Sequence, residues 1–223
     1  MPAIKVYNLR EVDELILLDI SAQSEGRPPD YISVSEFSQE CFVPLTVGGG
    51  ITSIDQVKNL LRAGADKVSI NTEAYKNPGL ISDIADTFGA QCVVASIDVR
   101  KNAQGFYECF SQCGQQPTGW ELVEWAKKVE KLGAGEILVT SIENDGMMQG
   151  YDLELIKAVT DSVGIPVIAS GGAGSYQHFY DAIIEANASA VAAASIFHFT
   201  EQTPLQAKLF LSDKGVPVRR YVI

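Results

Sequence analysis

The first chemistry legible in this 223-residue chain lies in two glycine clusters. "PLTVGGGIT" (44–52) and "PVIASGGAGS" (166–175) each run from a proline through a short strand-like stretch into glycines, 122 positions apart. A glycine cluster between a strand and a capped helix leaves backbone N–H groups bare, so a phosphate can come close at the positive end of the helix dipole. Two such turns on opposite sides of one site predict a ligand with a phosphate at each end. Polar strand ends, "INT" (70–72) and "AS" (194–195), stand in matching places and favour that reading over plain tight turns.

The elements that must carry these turns are short apolar strands alternating with amphipathic helices. Strands are expected at 14–20, 44–48, 66–71, 92–98, 136–142, 166–170 and 189–194. Strands separated by helical segments make βαβ units and a parallel sheet. Ser53 stands as the N-cap of "IDQVKNLLRAG", with Ile54, Val57, Leu60 and Leu61 on one face. Shifted by 122, Ser175 caps "YQHFYDAIIEA", where Tyr176, Phe179, Ala182 and Ile183 take the four apolar places. The same shift lays "DELILLDI" (13–20) over "GEILVTSI" (135–142), with Glu14 on Glu136. One inserted residue then lays "ADKVSINT" (65–72) over "ASAVAAAS" (188–195). The chain therefore reads as one α/β domain, residues 1–223, built as an internally duplicated half-barrel, the (βα)8 or TIM-barrel class.

Composition bounds the partners. With 17 Lys and Arg against 28 Asp and Glu the formal charge is −11, and no basic run interrupts the acidic background. Nucleic acid and anionic membrane surfaces are unsuited to such a chain. No apolar stretch has the length of a spanning helix and the start has no signal-peptide layout, so a cytoplasmic location is expected. Cys41, Cys92, Cys109 and Cys113 lack metal-ligand spacing and are expected as thiols, with no metal and no cofactor implied.

"LTVGGGI", "GADKVSINT", "VASID", "GAGEILVTSI", "IPVIASGGAG" and "AASIFHF" together resemble, in collinear order over essentially the whole chain, the cyclase subunits of imidazole glycerol phosphate synthase. The resemblance implies a barrel partner of a glutaminase in histidine biosynthesis. Its substrate would be a bisphosphate, phosphoribulosyl-formimino-aminoimidazole-carboxamide ribonucleotide, attacked by ammonia that travels along the barrel axis. By the same resemblance Gly50, Asn71 and Thr72 hold one phosphate, and Gly146, Gly172, Ala194 and Ser195, with Asp145 beside them, serve the other. Asp98 in "VASID" takes the place of the family's catalytic aspartate, with Asp19 and Asp145 as further acidic members of the site. Glu14, Lys67 and Glu136 match a charged ring at the ammonia entrance, and Asp66 matches a residue facing the glutaminase.

Two departures are visible. The counterpart of Asp98 in the first half falls at about −24, before Met1, so the barrel is expected to lack its first strand. Seven strands would remain, "MPAIKVYNL" would be the end of the first helix, and the second catalytic aspartate would be missing, which would impair the cyclase. In addition "GRPPDY" (26–31) resembles paralogues that use ammonia to form an amidino group on a surface-polysaccharide sugar. That enzyme, and a non-catalytic module that binds phosphosugars or docks a glutaminase, stand as alternatives.

Overall fold

The computed structural model describes residues 3–219. In chain order the first half holds α1 (Ala3–Leu9), β1 (Leu15–Leu18), α2 (Ala22–Glu25), α3 (Tyr31–Ser38), β2 (Leu45–Gly48), α4 (Ile54–Arg62), β3 (Lys67–Ile70), α5 (Thr72–Lys76) and α6 (Gly79–Phe88). Then come β4 (Val93–Lys101), β5 (Tyr107–Ser111), β6 (Gln116–Glu121), α7 (Leu122–Lys131), β7 (Glu136–Ser141), α8 (Leu153–Thr160), β8 (Val167–Ser170), α9 (Tyr176–Ile184), β9 (Ala190–Val191), α10 (Ser195–Phe199) and α11 (Pro204–Asp213).

Strands β1, β2, β3, β4, β7, β8 and β9 lie side by side in that order, every neighbouring pair parallel. These are the seven expected strands of a curled, TIM-barrel-like α/β sheet. Among the described residues β1 and β9 are its edges, which leaves Leu18 46% exposed. Helix α1, where the end of a first helix was expected, ties the two sides together. Lys5 pairs with Glu40 at 2.8 Å ahead of β2, while Tyr7 reaches His198 at 3.0 Å and Arg10 reaches the Phe197 carbonyl at 3.2 Å on α10.

The duplication holds at atomic detail. Leu15 pairs with Leu45 across β1 and β2, and Ile137 with Val167 across β7 and β8, a shift of 122 in both strands. Pro44 and Pro166 accept hydrogen bonds from Leu15 and Ile137 respectively, each at 2.9 Å. Thr46 pairs with Lys67 but Ile168 with Ala190, so β9 lies one residue later than β3 plus 122, the expected one-residue insertion. Ser53 and Ser175 enter α4 and α9 with matching backbone angles, −150° and 159° against −151° and 161°. They differ in the side chain: Ser53 accepts from the Gln56 N–H, whereas Ser175 makes no cap hydrogen bond. Val57 and Leu60 on α4, and Phe179 and Ala182 on α9, point into the core as their spacing requires.

One element was not foreseen. β5 pairs antiparallel with both the outer half of β4 and β6, forming a hairpin that rises from the strand carrying Asp98. Strand β4 accordingly runs to Lys101, past the expected end at 98.

Candidate functional site

A cavity of about 320 Å³ opens at the C-terminal ends of the parallel strands, where β-barrel enzymes of this architecture place their chemistry. Asp19, Gly50, Asn71, Thr72, Asp98 and Asp145 all border it. Gly146, Gly172, Ala194 and Ser195 are not among its walls.

The two turns are built to one plan. Gly49 (φ 107°) and Gly171 (φ 86°) occupy left-handed backbone space that side chains disfavour. A Cβ at Gly49 would collide with the Asp19 carbonyl oxygen, and one at Gly171 would lie 2.7 Å from the Ser141 carbonyl oxygen, again a shift of 122. At the next glycine, a Cβ on Gly50 would meet the Ala22 Cβ at 2.8 Å and one on Gly172 the Asn144 Cβ at 3.0 Å. Both turns lead into nine-residue helices whose N-termini favour anions. Asn71 and Ala194 stand before α5 and α10 with closely similar backbone angles, so the polar strand ends also occupy equivalent places.

Asp98 lies on β4 at the base of the hairpin, opposite Phe110 on β5. Burial raises its carboxyl to about 6, and the negative charge of Asp145 adds to the rise. An acid poised there exchanges a proton near neutrality, as an acid–base group must. Asp19 is the opposite case. Its hydrogen bonds from Arg27 outweigh partial burial, and those from Ala22 and Ser21 help to hold the carboxyl below its ordinary range. It stays an anion where Asp98 can change charge.

The hairpin is the part of the site that the sequence reading missed. Asn71 Nδ2 donates to the Phe110 carbonyl at 3.3 Å, the Gln112 N–H donates to Thr72 Oγ1 at 3.0 Å, and Cys113 Sγ approaches the Ile20 carbonyl at 3.4 Å. The hairpin turn therefore reaches the cavity, and β5 and the turn each hold one of the expected phosphate ligands, Asn71 and Thr72. Tyr107 at its base hydrogen-bonds Asp152, the N-cap of α8, at 2.8 Å.

At the opposite end of the strands Lys67 joins Glu14 at 2.9 Å and Glu136 at 2.7 Å, bringing the three expected ring members together. Burial works to lower the Lys67 ammonium, but the hydrogen bonds it donates to Glu136 and Glu14 prevail and leave it above the usual lysine range. Glu136 keeps its second carboxylate oxygen buried without a partner. Asp66 accepts from the Leu45 N–H at 2.8 Å and so also ties β2 to β3 at that end.

Residues 1–203 match the family model described as histidine biosynthesis protein. Over 215 residues, 96% of this chain and 85% of the relative, the sequence is 50% identical to the imidazole glycerol phosphate synthase subunit HisF of Chloroherpeton thalassium.

Proposed function

The chain belongs to the histidine biosynthesis family as a cyclase-type member related to imidazole glycerol phosphate synthase, and from that premise we propose how its residues divide the work. The bisphosphate substrate spans the mouth, one phosphate on the Gly50, Asn71 and Thr72 side and the other on the Gly146, Gly172, Ala194 and Ser195 side. Between them Asp98 moves the protons that ammonia addition and ring closure require. Its raised carboxyl, about 6, is the single observation that carries this assignment.

The neighbouring charge of Asp145 keeps Asp98 from ionising too easily, because two close carboxylates resist being charged together. Asp19, held ionised, orients and stabilises instead of transferring protons. Ammonia enters as the neutral molecule past Glu14, Lys67 and Glu136, supplied by a glutaminase docked on that face beside Asp66. The Lys67 pairs with Glu14 and Glu136 form a charged entrance through which a small polar molecule would pass along the axis. The family relationship favours this reaction over sugar amidation, and "GRPPDY" has a structural account: Gly26 closes α2 at φ 62°, and Asp30 caps α3 through the Ile32 and Ser33 N–H groups.

A chain carrying the expected first strand upstream, supplied with the bisphosphate substrate and an ammonium salt, is expected to release imidazole glycerol phosphate and aminoimidazole-carboxamide ribonucleotide in equal amounts. Asp98→Asn is expected to bind the substrate and release both about 10²–10⁴-fold more slowly. Equal turnover by the Asn variant would overturn the assignment.

A further inference from the structure

Among the described residues, the first glycine turn is braced by an ion pair and the second is not. Arg27 folds back from the loop between α2 and α3, so that Nη1 meets Asp19 Oδ2 at 2.7 Å and Nη2 meets Oδ1 at 3.0 Å. Nη2 also donates to Ser21 Oγ at 3.0 Å, and Nε pairs with Glu25 at 2.5 Å. Asp19 Oδ1 accepts two backbone N–H groups besides, from Ser21 at 3.2 Å and Ala22 at 3.1 Å.

These residues are the wall behind the turn. The Arg27 carbonyl oxygen would lie 2.9 Å from a Cβ at Gly50, and the Asp19 carbonyl presses on Gly49. A shift in the pair is thus a shift in the two glycines. Asp19 also borders the cavity, where a bare carboxylate would repel an arriving phosphate. In the second half Ser141 stands where Asp19 does, and Asn144 Nδ2 holds the Gly150 carbonyl at 3.0 Å behind Gly172.

Resting on the reading of the two glycine turns as phosphate ends, we propose that Arg27 is a positioning residue for the first of them. Its two-point pair neutralises Asp19 and fixes the loop against Gly49 and Gly50, so that the phosphate meets backbone N–H groups and not an open negative charge. The planar guanidinium fork suits this task, since lysine offers one point charge where two parallel hydrogen bonds are needed.

Phosphorus NMR of the bisphosphate substrate, titrated without ammonium so that no turnover occurs, reads the two ends separately. The unchanged protein is expected to shift both phosphate resonances. Arg27→Met is expected to reduce the shift of one resonance, keep the other, and weaken affinity about three- to tenfold, an effect that added salt diminishes. The retained shift shows that the variant is folded. Adding Asp19→Asn to Arg27→Met is expected to recover affinity, because the unneutralised charge is gone. Should Arg27→Met lose both shifts by misfolding, Arg27→Lys supplies the test, with a smaller loss confined to the same resonance. If the unchanged protein leaves either resonance unmoved, the reading of two phosphate ends falls and the clamp with it. If both move equally in the unchanged protein and in the Met or Lys variant, the clamp alone is wrong.

Discussion

The two glycine turns have one backbone and two ways of bracing it. In the first half the brace is ionic, Arg27 against Asp19, with the carboxylate also gathering the Ser21 and Ala22 N–H groups. In the second it is neutral: Asn144 holds the Gly150 carbonyl, the Gly150 N–H donates to the Gly172 carbonyl at 2.8 Å, and the Gly174 N–H donates to His178 Nδ1 at 3.2 Å. Duplication therefore preserved the shape of the turns and left their chemistry free to diverge. We propose that both halves share a place for a phosphate. Asp98, on the strand between them, is the carboxyl that burial raises to about 6.

Removing that group separates binding from chemistry most sharply. Asp98→Asn should lower ammonium-driven turnover by about 10²–10⁴ while leaving substrate affinity nearly unchanged, as loss of a proton-transfer group does. The same variant should be more stable than the unchanged protein at pH 7. Folding raises the Asp98 pKa from an ordinary 3.8 to about 6. The stabilising contribution of its protonated form is thus complete below about pH 4 and lost as pH rises through 6. At pH 7 the buried charge costs on the order of 2–3 kcal/mol, which Asn avoids, and the gap should close in acid denaturation curves below pH 4.

Replacing the first glycine of each turn tests whether the shapes are equivalent. Gly49→Ala and Gly171→Ala should each destabilise by about 1–3 kcal/mol through left-handed strain and the carbonyl behind it, read as lower melting temperatures. Gly49 should suffer more, because its carbonyl neighbour is closer. The smallest expected effect lies in the neutral brace. Asn144→Ala should cost about 1 kcal/mol in urea unfolding, with no dependence on salt, whereas the phenotype of an Arg27 variant should fade as salt is added.

How much of this was legible in the sequence follows from what repeats and what does not. Six of the seven parallel strands and both turns could be placed because each half checks the other at a shift of 122, and the residue inserted before β9 relative to β3 appears in the observed register. The β5–β6 hairpin has no counterpart to check it. Strand β6, "QPTGWE", carries Pro117 and Gly119 and is half solvent-facing, so its residues argue against a strand on their own. The signal that could have revealed it was Cys113-Gly114 between two strand-like runs, with both residues at positive φ in the structure. The Arg27–Asp19 pair was hidden for another reason. Its partners are eight residues apart across α2 and its Gly26 cap, and no local period encodes it. Likewise Asp98 could be singled out as a strand-end carboxylate, but its raised pKa comes from burial and from Asp145, which only the folded sheet brings near.

The central claim is that Asp98 exchanges its proton near neutrality because burial and Asp145 hold it there. Carbon NMR titration of the Asp98 carboxyl measures this directly, in the unchanged protein and in Asp145→Asn. The account predicts a midpoint of about 6 that moves to lower pH when the Asp145 charge is removed. A midpoint near 4, the ordinary aspartate range, and indifferent to Asp145→Asn, would contradict it.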